Sequence, residues 1–121
     1  MIERLWWAGG WLGVVVTLGL SLLPPALDSG SGHSDKVVHL LGYAVLTFWW
    51  AQLVTHRRWK LALVVALFGI AVELLQGLTP TRQPDPLDAL ANSVGALLGW
   101  LIARLLPNLP QRLAALSALR R

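Results

Sequence analysis

Apolar residues occur along the chain in four long blocks separated by short polar connections. The blocks cover approximately residues 6–23, 37–54, 61–78 and 87–106. At a helical rise of about 1.5 Å per residue, each block reaches roughly 27 to 30 Å, the thickness of a bilayer hydrocarbon core. The pattern therefore predicts an all-α fold, a four-helix transmembrane bundle, in a single domain covering residues 1–121.

Helix-ending and helix-starting residues mark the limits of these blocks. Prolines at 24–25 end the first block, and residues 28–35 form a polar loop in which Ser34 is the predicted N-cap of the second helix. Gly77 ends the third block. In the segment 85–88, an aspartate precedes a proline and a second acid follows, as expected for an N-cap, a first helical position and a first turn.

The tail after the fourth block has leucines and arginines on opposite sides of a predicted helix. Leu109, Leu113 and Leu116 share one face, while Arg112 and Arg120 lie away from it. A helix of this kind lies in the membrane interface with its apolar face toward the acyl chains. We expect a short amphipathic interfacial helix at the C-terminus.

Composition supports a membrane protein, because 55% of the residues are hydrophobic and only 13% are charged. The chain has no cysteine, which excludes disulfides, thiolate metal sites and cysteine nucleophiles. Its net charge of +4 lacks the basic face and aromatic platforms of nucleic-acid readers, so no nucleic-acid partner is expected.

The lysines and arginines are distributed unevenly between the two sides of the predicted bundle. One side holds only Lys36 and Arg82. The other side holds both termini and the connection between the second and third helices, with Arg4, Arg57, Arg58, Lys60, Arg104, Arg112, Arg120 and Arg121. The positive-inside rule therefore predicts that both termini are cytoplasmic.

Polar residues recur near the extracytoplasmic ends of the second, third and fourth helices. They are Asp35, His39 and Tyr43 of the second helix, Glu73 and Gln76 of the third, Asp88 and Asn92 of the fourth, and Arg82 and Asp85 in the preceding loop. Residues three or four positions apart share a helical face, so each helix presents a polar stripe at a similar depth. We predict one site there, with Glu73 and His39 as candidate catalytic groups and the others as ligand-binding residues.

Glu73 is the most informative of these residues, because a charged side chain inside a spanning helix costs about 2.5 to 3.5 kcal/mol on insertion scales. It requires a partner, and Arg82 and His39 are the predicted ones. A functional role and a purely structural ion pair both remain open. For Asp85 and Asp88, helix capping is an alternative to ligand binding, and for Asn92 the alternative is a hydrogen bond between helices.

His39 has three possible roles: titration near neutral pH, metal binding with Asp35 orienting the ring, or a hydrogen bond to Glu73. No compact metal-ligand motif is present, so no cofactor is expected. If a divalent metal binds, the predicted ligands are His39, Glu73 and Asp88. Elsewhere, Gly95 and Gly99 form a GxxxG pair that predicts close helix packing within the monomer.

The ordered set of polar residues resembles the VanZ-like family of bacterial membrane proteins. The matching elements are Asp35-Lys36-x-x-His39-x-x-x-Tyr43, Glu73-x-x-Gln76, Arg82-x-x-Asp85-x-x-Asp88 and Asn92-x-x-Gly95-x-x-x-Gly99. The resemblance implies a multi-pass protein of the bacterial inner membrane, and relatives include an accessory factor for low-level resistance to the glycopeptide teicoplanin. Within the polar stripe, the resemblance singles out Asp35, His39, Glu73, Gln76, Arg82, Asp88 and Asn92. Pro84 and Pro86 depart from the family pattern around Asp85.

Three functional hypotheses follow from these features. In the first, the site binds or modulates a membrane lipid, an envelope precursor or an amphiphilic glycopeptide-type antibiotic, with Arg82 contacting a phosphate or carboxylate. In the second, the protein is an intramembrane hydrolase or transferase acting on an envelope lipid, with Glu73 or His39 as general base. In the third, it is a small structural partner subunit whose polar stripe only fixes helix packing. The sequence leaves the oligomeric state open.

Overall fold

The computed structural model describes residues 1–23 and 32–120, and these residues form five α-helices. The helices are α1 (Ile2–Leu22), α2 (Gly32–Leu53), α3 (Arg58–Gln76), α4 (Pro86–Leu105) and α5 (Leu109–Leu119). The described residues contain no strand. The all-α bundle predicted from the apolar blocks is confirmed, and each of the first four helices begins before its apolar block does.

The helix ends follow the predicted punctuation in two places and depart from it in one. Asp85 caps α4 by accepting a hydrogen bond from the backbone N–H of Leu87 at 2.9 Å, and Pro86 is the first helical residue. Gly77 is the C-cap of α3. The prediction of Ser34 as N-cap is wrong, because α2 already begins at Gly32. The predicted end at residues 24–25 lies outside the described residues.

The interface between α2 and α4 is the most extensive in the bundle. A Cβ added at Gly95 would collide with the carbonyl oxygen of Leu40, and one at Gly99 would collide with that of Ala44. Only glycine at these positions lets the two backbones come so close, as in other small-residue helix pairs. The GxxxG pair therefore packs within the monomer, as predicted.

Tryptophans join α1 to α2 at one end of the bundle. The ring centroids of Trp6 and Trp49 are 4.2 Å apart, and Trp49 donates its indole N–H to the carbonyl of Trp6 at 2.8 Å. Trp7 and Trp11 both pack edge-on against Trp50. These contacts join the first half of α1 to the last turns of α2.

The C-terminal helix α5 is attached at the same end. Asn108 caps it by accepting from the backbone N–H of Gln111 at 3.0 Å, and donates its amide to the carbonyl of Gln52 at 2.7 Å. The side chain of Gln52 in turn accepts from the backbone N–H of Leu109 at 2.9 Å. The predicted C-terminal helix is thus present, and its leucines at 113, 116 and 119 are exposed.

The lipid-facing surface is that of a membrane protein. Within the described residues, three stretches are long and apolar enough to cross a bilayer: Ile2–Leu22, Arg58–Gln76, and Pro86–Leu119, which comprises α4 and α5. Helix α2 is less apolar, because it carries the polar side chains of the predicted site in its first turns. Its crossing of the membrane stays a prediction.

Candidate functional site

The start of α2, the end of α3 and the start of α4 meet at one end of the bundle. We call it the acidic end, after Asp35, Glu73, Asp85 and Asp88. The alternating direction of the helices, expected from their short connections, brings these four acids together from distant parts of the sequence. The site predicted from the polar stripe is therefore a set of neighbouring side chains in space.

Lys36 joins α2 to the start of α4. Its ammonium donates to Asp85 Oδ2 at 3.0 Å and to Asp88 Oδ1 at 3.2 Å. The Lys36 hydrogen bond, followed by that from the backbone N–H of Leu87, holds the pKa of Asp85 below its usual value. Asp85 thus caps α4 and pairs with Lys36, while Asp88 lies in the first turn and pairs with the same ammonium. Ligand binding by either acid stays a prediction.

Neither the family-like motif nor the charge distribution predicts that Lys36 pairs with these two acids. A signal was available, because two acids three positions apart at a helix start call for a nearby cation. Lys36 is one of only two cations predicted for that side of the bundle.

His39 is held by Asn92, which is fully buried on α4. His39 Nδ1 lies 2.9 Å from Asn92 Oδ1, while the Asn92 amide nitrogen lies 3.4 Å from the carbonyl oxygen of Gly69. A carbonyl oxygen can only accept, so the amide NH₂ points to Gly69 and its oxygen to the ring. Nδ1 therefore carries the proton in the neutral ring, and Nε2 is left as an acceptor, 3.7 Å from Asp35 Oδ2.

Glu73 is buried, with 5% of its surface exposed, and its Oε1 accepts from the backbone N–H of Asp85 at 2.7 Å. Its Oε2 is buried and has no hydrogen-bond partner among the described residues. The expected partners were different. Within the described chain, Glu73 forms no ion pair with Arg82 and no hydrogen bond with His39, because the loop presents a backbone donor instead and His39 is turned toward Asn92.

Arg82 and Gln76 attach the end of α1 to the site. Arg82 Nε donates to the carbonyl of Leu23 at 3.1 Å, and Gln76 Nε2 donates to that of Ser21 at 2.8 Å. Gln76 is 2% exposed, so its amide serves packing in this structure and is not free to meet a ligand. The two terminal NH₂ groups of Arg82 have no hydrogen-bond partner among the described residues.

A cavity of about 260 Å³ opens beside these residues, between α1 and α2. Its polar lining consists of Asp35, His39, Tyr43 and Arg82, together with the hydroxyl-bearing Thr17 and Ser21 of α1. The hydroxyl of Tyr43 is buried and has no hydrogen-bond partner among the described residues. Polar groups buried in proteins are nearly always paired, so this hydroxyl is an exception within the described residues, although its burial keeps it from the open surface of the cavity.

A possible metal-ligand set differs by one residue from the predicted one. Ligand atoms of Asp35, His39 and Asp88 all lie within 4.8 Å of one another, whereas Glu73 is not part of this group. Carboxylate oxygens and an imidazole nitrogen are suitable donors for a divalent cation. Lys36 already neutralises part of the charge of Asp88, which lowers the attraction for an ion.

A sequence profile of the VanZ/LLP1 family matches residues 31–107, well over half of the chain. The chain belongs to the VanZ/LLP1 family. The match covers α2, α3 and α4, and so includes every predicted site residue of this VanZ/LLP1 protein, whereas α1 and α5 lie outside it. Neither a curated protein nor a solved structure matches the chain. Family membership and the apolar helices together identify a membrane protein of the VanZ type.

Proposed function

We propose that this VanZ/LLP1 protein binds the polar head of a cell-envelope amphiphile in the cavity at the acidic end. The observation that carries the proposal is the composition of the cavity wall. It combines a cation, Arg82, an acid, Asp35, and an imidazole, His39, within one concave surface to which Tyr43 also contributes. Recognition sites typically combine a few converging polar groups of this kind with an apolar wall.

The bonded geometry supports a different role for each residue. Arg82 contacts a phosphate or carboxylate of the ligand through its terminal NH₂ groups. His39 adds a hydrogen bond, while Asn92, Lys36 and Glu73 hold the surrounding helices in position. A membrane lipid, a lipid-linked envelope precursor and a glycopeptide-type antibiotic such as teicoplanin all offer a phosphate or carboxylate.

Binding can be tested with protein purified in detergent and incubated with a bacterial lipid extract. We expect bound lipid, quantified by mass spectrometry, to fall for Asp35→Asn and Arg82→Gln. Glu3→Gln is the matched control, because it changes an acid at the other end of the bundle. This variant should bind as much lipid as the unchanged protein. Equal retention by all three variants would remove the support for this site.

A hydrolase or transferase acting on the same lipid is the second candidate function. It is favoured by the orientation of His39, whose Nε2 is an acceptor at the cavity while Asn92 fixes the ring. In this mechanism His39 is the general base and Arg82 stabilises developing negative charge. Glu73 is less suited to the role, because it is buried and already accepts from a backbone N–H.

Turnover separates the enzyme from the binding protein. Purified protein incubated with envelope lipids should yield a product detectable by mass spectrometry if it is an enzyme, and His39→Ala should abolish it. Retained lipid binding without any product would favour binding alone. If His39→Ala and Glu73→Gln aggregate instead of folding, the structural-subunit hypothesis becomes preferable.

We also propose that the protein lies in the bacterial inner membrane with both termini in the cytoplasm, so that the acidic end faces outward. The uneven distribution of lysine and arginine supports this orientation. Alkaline phosphatase, which is active only outside the cytoplasm, provides the test. A fusion in the connection between α3 and α4 should be active, and a fusion after α5 should be inactive; the reverse result would invert the topology.

A further inference from the structure

A second cavity, of about 510 Å³, runs along the seam between α1 and α2. Its wall is formed mainly by aliphatic side chains and glycines, among them Gly13 and Val16 of α1 and Val38, Gly42 and Val45 of α2. We call it the seam groove. All of its lining comes from these two helices, so its open side faces the surroundings of the bundle.

The seam groove continues into the polar cavity at the acidic end. Val16, Thr17, Val38 and Gly42 line both cavities. From Gly9 at its far end to Ser21 beside Arg82, the combined surface follows about 18 Å of α1 at the usual helical rise. It is therefore polar at one end and apolar along its length, which is the profile of a lipid molecule.

Gly42 keeps the seam groove open. A Cβ added there would meet no atom within 4 Å, in contrast to Gly69 and Gly95, where close neighbours require glycine. A glycine inside a helix costs roughly 1 kcal/mol relative to alanine, and no packing contact at Gly42 offsets this cost. Because Gly42 has no side chain, this part of the seam groove stays unfilled.

The end of α1 is also prevented from closing the groove. The backbone carbonyls of Ser21 and Leu23, at this end, accept from Gln76 of α3 and from Arg82 of the loop between α3 and α4. Among the described residues, no hydrogen bond joins this end of α1 to α2. At the other end, Gly9 and Gly10 bring α1 close to Trp49 and Trp50 of α2. The two helices are therefore in contact at the tryptophans and separate toward the acidic end.

We propose that the seam groove holds one hydrocarbon chain of a zwitterionic glycerophospholipid, such as a phosphatidylethanolamine, whose head occupies the polar cavity. The inference rests on the proposed function and narrows its ligand class. Arg82 meets the phosphate, and Asp35, half of whose side chain is exposed, meets the ammonium. The opposite charges of these two side chains in one cavity match the two charges of such a head better than they match a purely anionic one.

The experiment measures lipid binding by native mass spectrometry of the full chain in detergent. The probes are palmitoyl-oleoyl phosphatidylethanolamine, its phosphatidylglycerol counterpart, and soluble glycerophosphoethanolamine, which has the head without chains. Gly42→Leu fills the seam groove. Gly19→Leu is the matched control, because Gly19 also lies in a helix and faces open space but does not line either cavity.

We expect phosphatidylethanolamine to bind more tightly than either other probe. Gly42→Leu should weaken phosphatidylethanolamine binding by about tenfold or more, since losing the burial of roughly two methylene groups already corresponds to that factor. Gly19→Leu should bind as the unchanged protein does. Circular dichroism of each variant verifies that its helices are intact.

The outcomes separate the two proposals. If Asp35→Asn weakens binding but Gly42→Leu does not, the head site stands and the chain site is refuted. If neither variant has any effect, the proposed function fails as well. Equal or tighter binding of phosphatidylglycerol, or equal binding of the soluble head, would overturn the assigned ligand class.

Discussion

Glu73 offers the sharpest test of how the buried acid is accommodated. Its Oε1 accepts from the backbone N–H of Asp85, while Oε2 has no partner among the described residues. The substitution Glu73→Gln keeps an oxygen that accepts from that N–H but removes the carboxyl group, and Glu73→Leu removes both. Leucine has a similar volume but leaves the N–H without its acceptor. The two substitutions therefore separate the hydrogen bond from the acid.

The magnitudes follow from the contacts that each variant keeps. Losing an acceptor for a buried donor costs about 1 to 3 kcal/mol, and the partial exposure of Asp85 places Glu73→Leu near the lower half of that range. The free energy of unfolding of Glu73→Gln should lie within about 1 kcal/mol of that of the unchanged protein, because interhelical hydrogen bonds in membranes contribute on average only about 0.6 kcal/mol. We thus expect glutamine to be tolerated and leucine to destabilise the fold.

The assay is unfolding by sodium dodecyl sulfate in mixed micelles, followed by far-ultraviolet circular dichroism. The free energy of unfolding of each variant is compared with that of the unchanged protein. Equal destabilisation by glutamine and leucine would refute the reasoning, since it would mean that the carboxylate charge itself, and not the acceptor oxygen, holds the loop.

Three further substitutions test the packing, the charge network and the C-terminal helix. Gly95→Leu forces a side chain against the carbonyl of Leu40 and should cost at least about 1 to 3 kcal/mol, read as a lower midpoint of thermal unfolding in detergent. The pKa of Asp85 is lowered in the fold by Lys36, so its carboxylate stabilises the protein above its unfolded pKa, and this contribution is lost as the pH falls through the folded pKa. Asp85→Asn should therefore flatten the acid side of the stability profile. Asn108→Ala removes the cap of α5, worth about 0.5 to 2 kcal/mol, and should speed amide hydrogen exchange in that helix.

Each of these predictions has an outcome that contradicts it. Unchanged thermal stability of Gly95→Leu would mean that α2 and α4 are not in backbone contact, with Gly19→Leu as the control for adding a leucine. A stability profile that is identical with and without the Asp85 carboxylate would show that its ion pair is not formed. Equal amide exchange rates across α5 in the unchanged protein and in Asn108→Ala would exclude a capping role.

The helix framework could be predicted because its causes are local. Apolar blocks of membrane-spanning length predict the helices, and the Asp85, Pro86 and Asp88 pattern predicts the start of α4. Gly95 and Gly99 indicate a close helix contact, although only the structure identifies α2 as the partner. The prediction for Ser34 is wrong because residues before a helix and in its first turn have similar compositions, and here the helix already begins at Gly32.

The partners within the site were harder to predict, because they depend on loop geometry. Glu73 was expected to pair with a side chain, but it accepts from a backbone N–H, which every residue except proline carries and no sequence pattern marks. Lys36 was overlooked as the cation between two acids. The seam groove has no periodic signature at all: it depends on how α1 separates from α2, and Gly42 alone hints at it.

The most direct test of a ligand site at the acidic end is an experimental structure of the protein in phospholipid nanodiscs. We expect density for a head group within hydrogen-bonding distance of Arg82 and Asp35, continuing as a chain between α1 and α2. An α1 packed against α2 along its whole length, with Arg82 turned inward onto Glu73 and no density between the helices, would contradict the account.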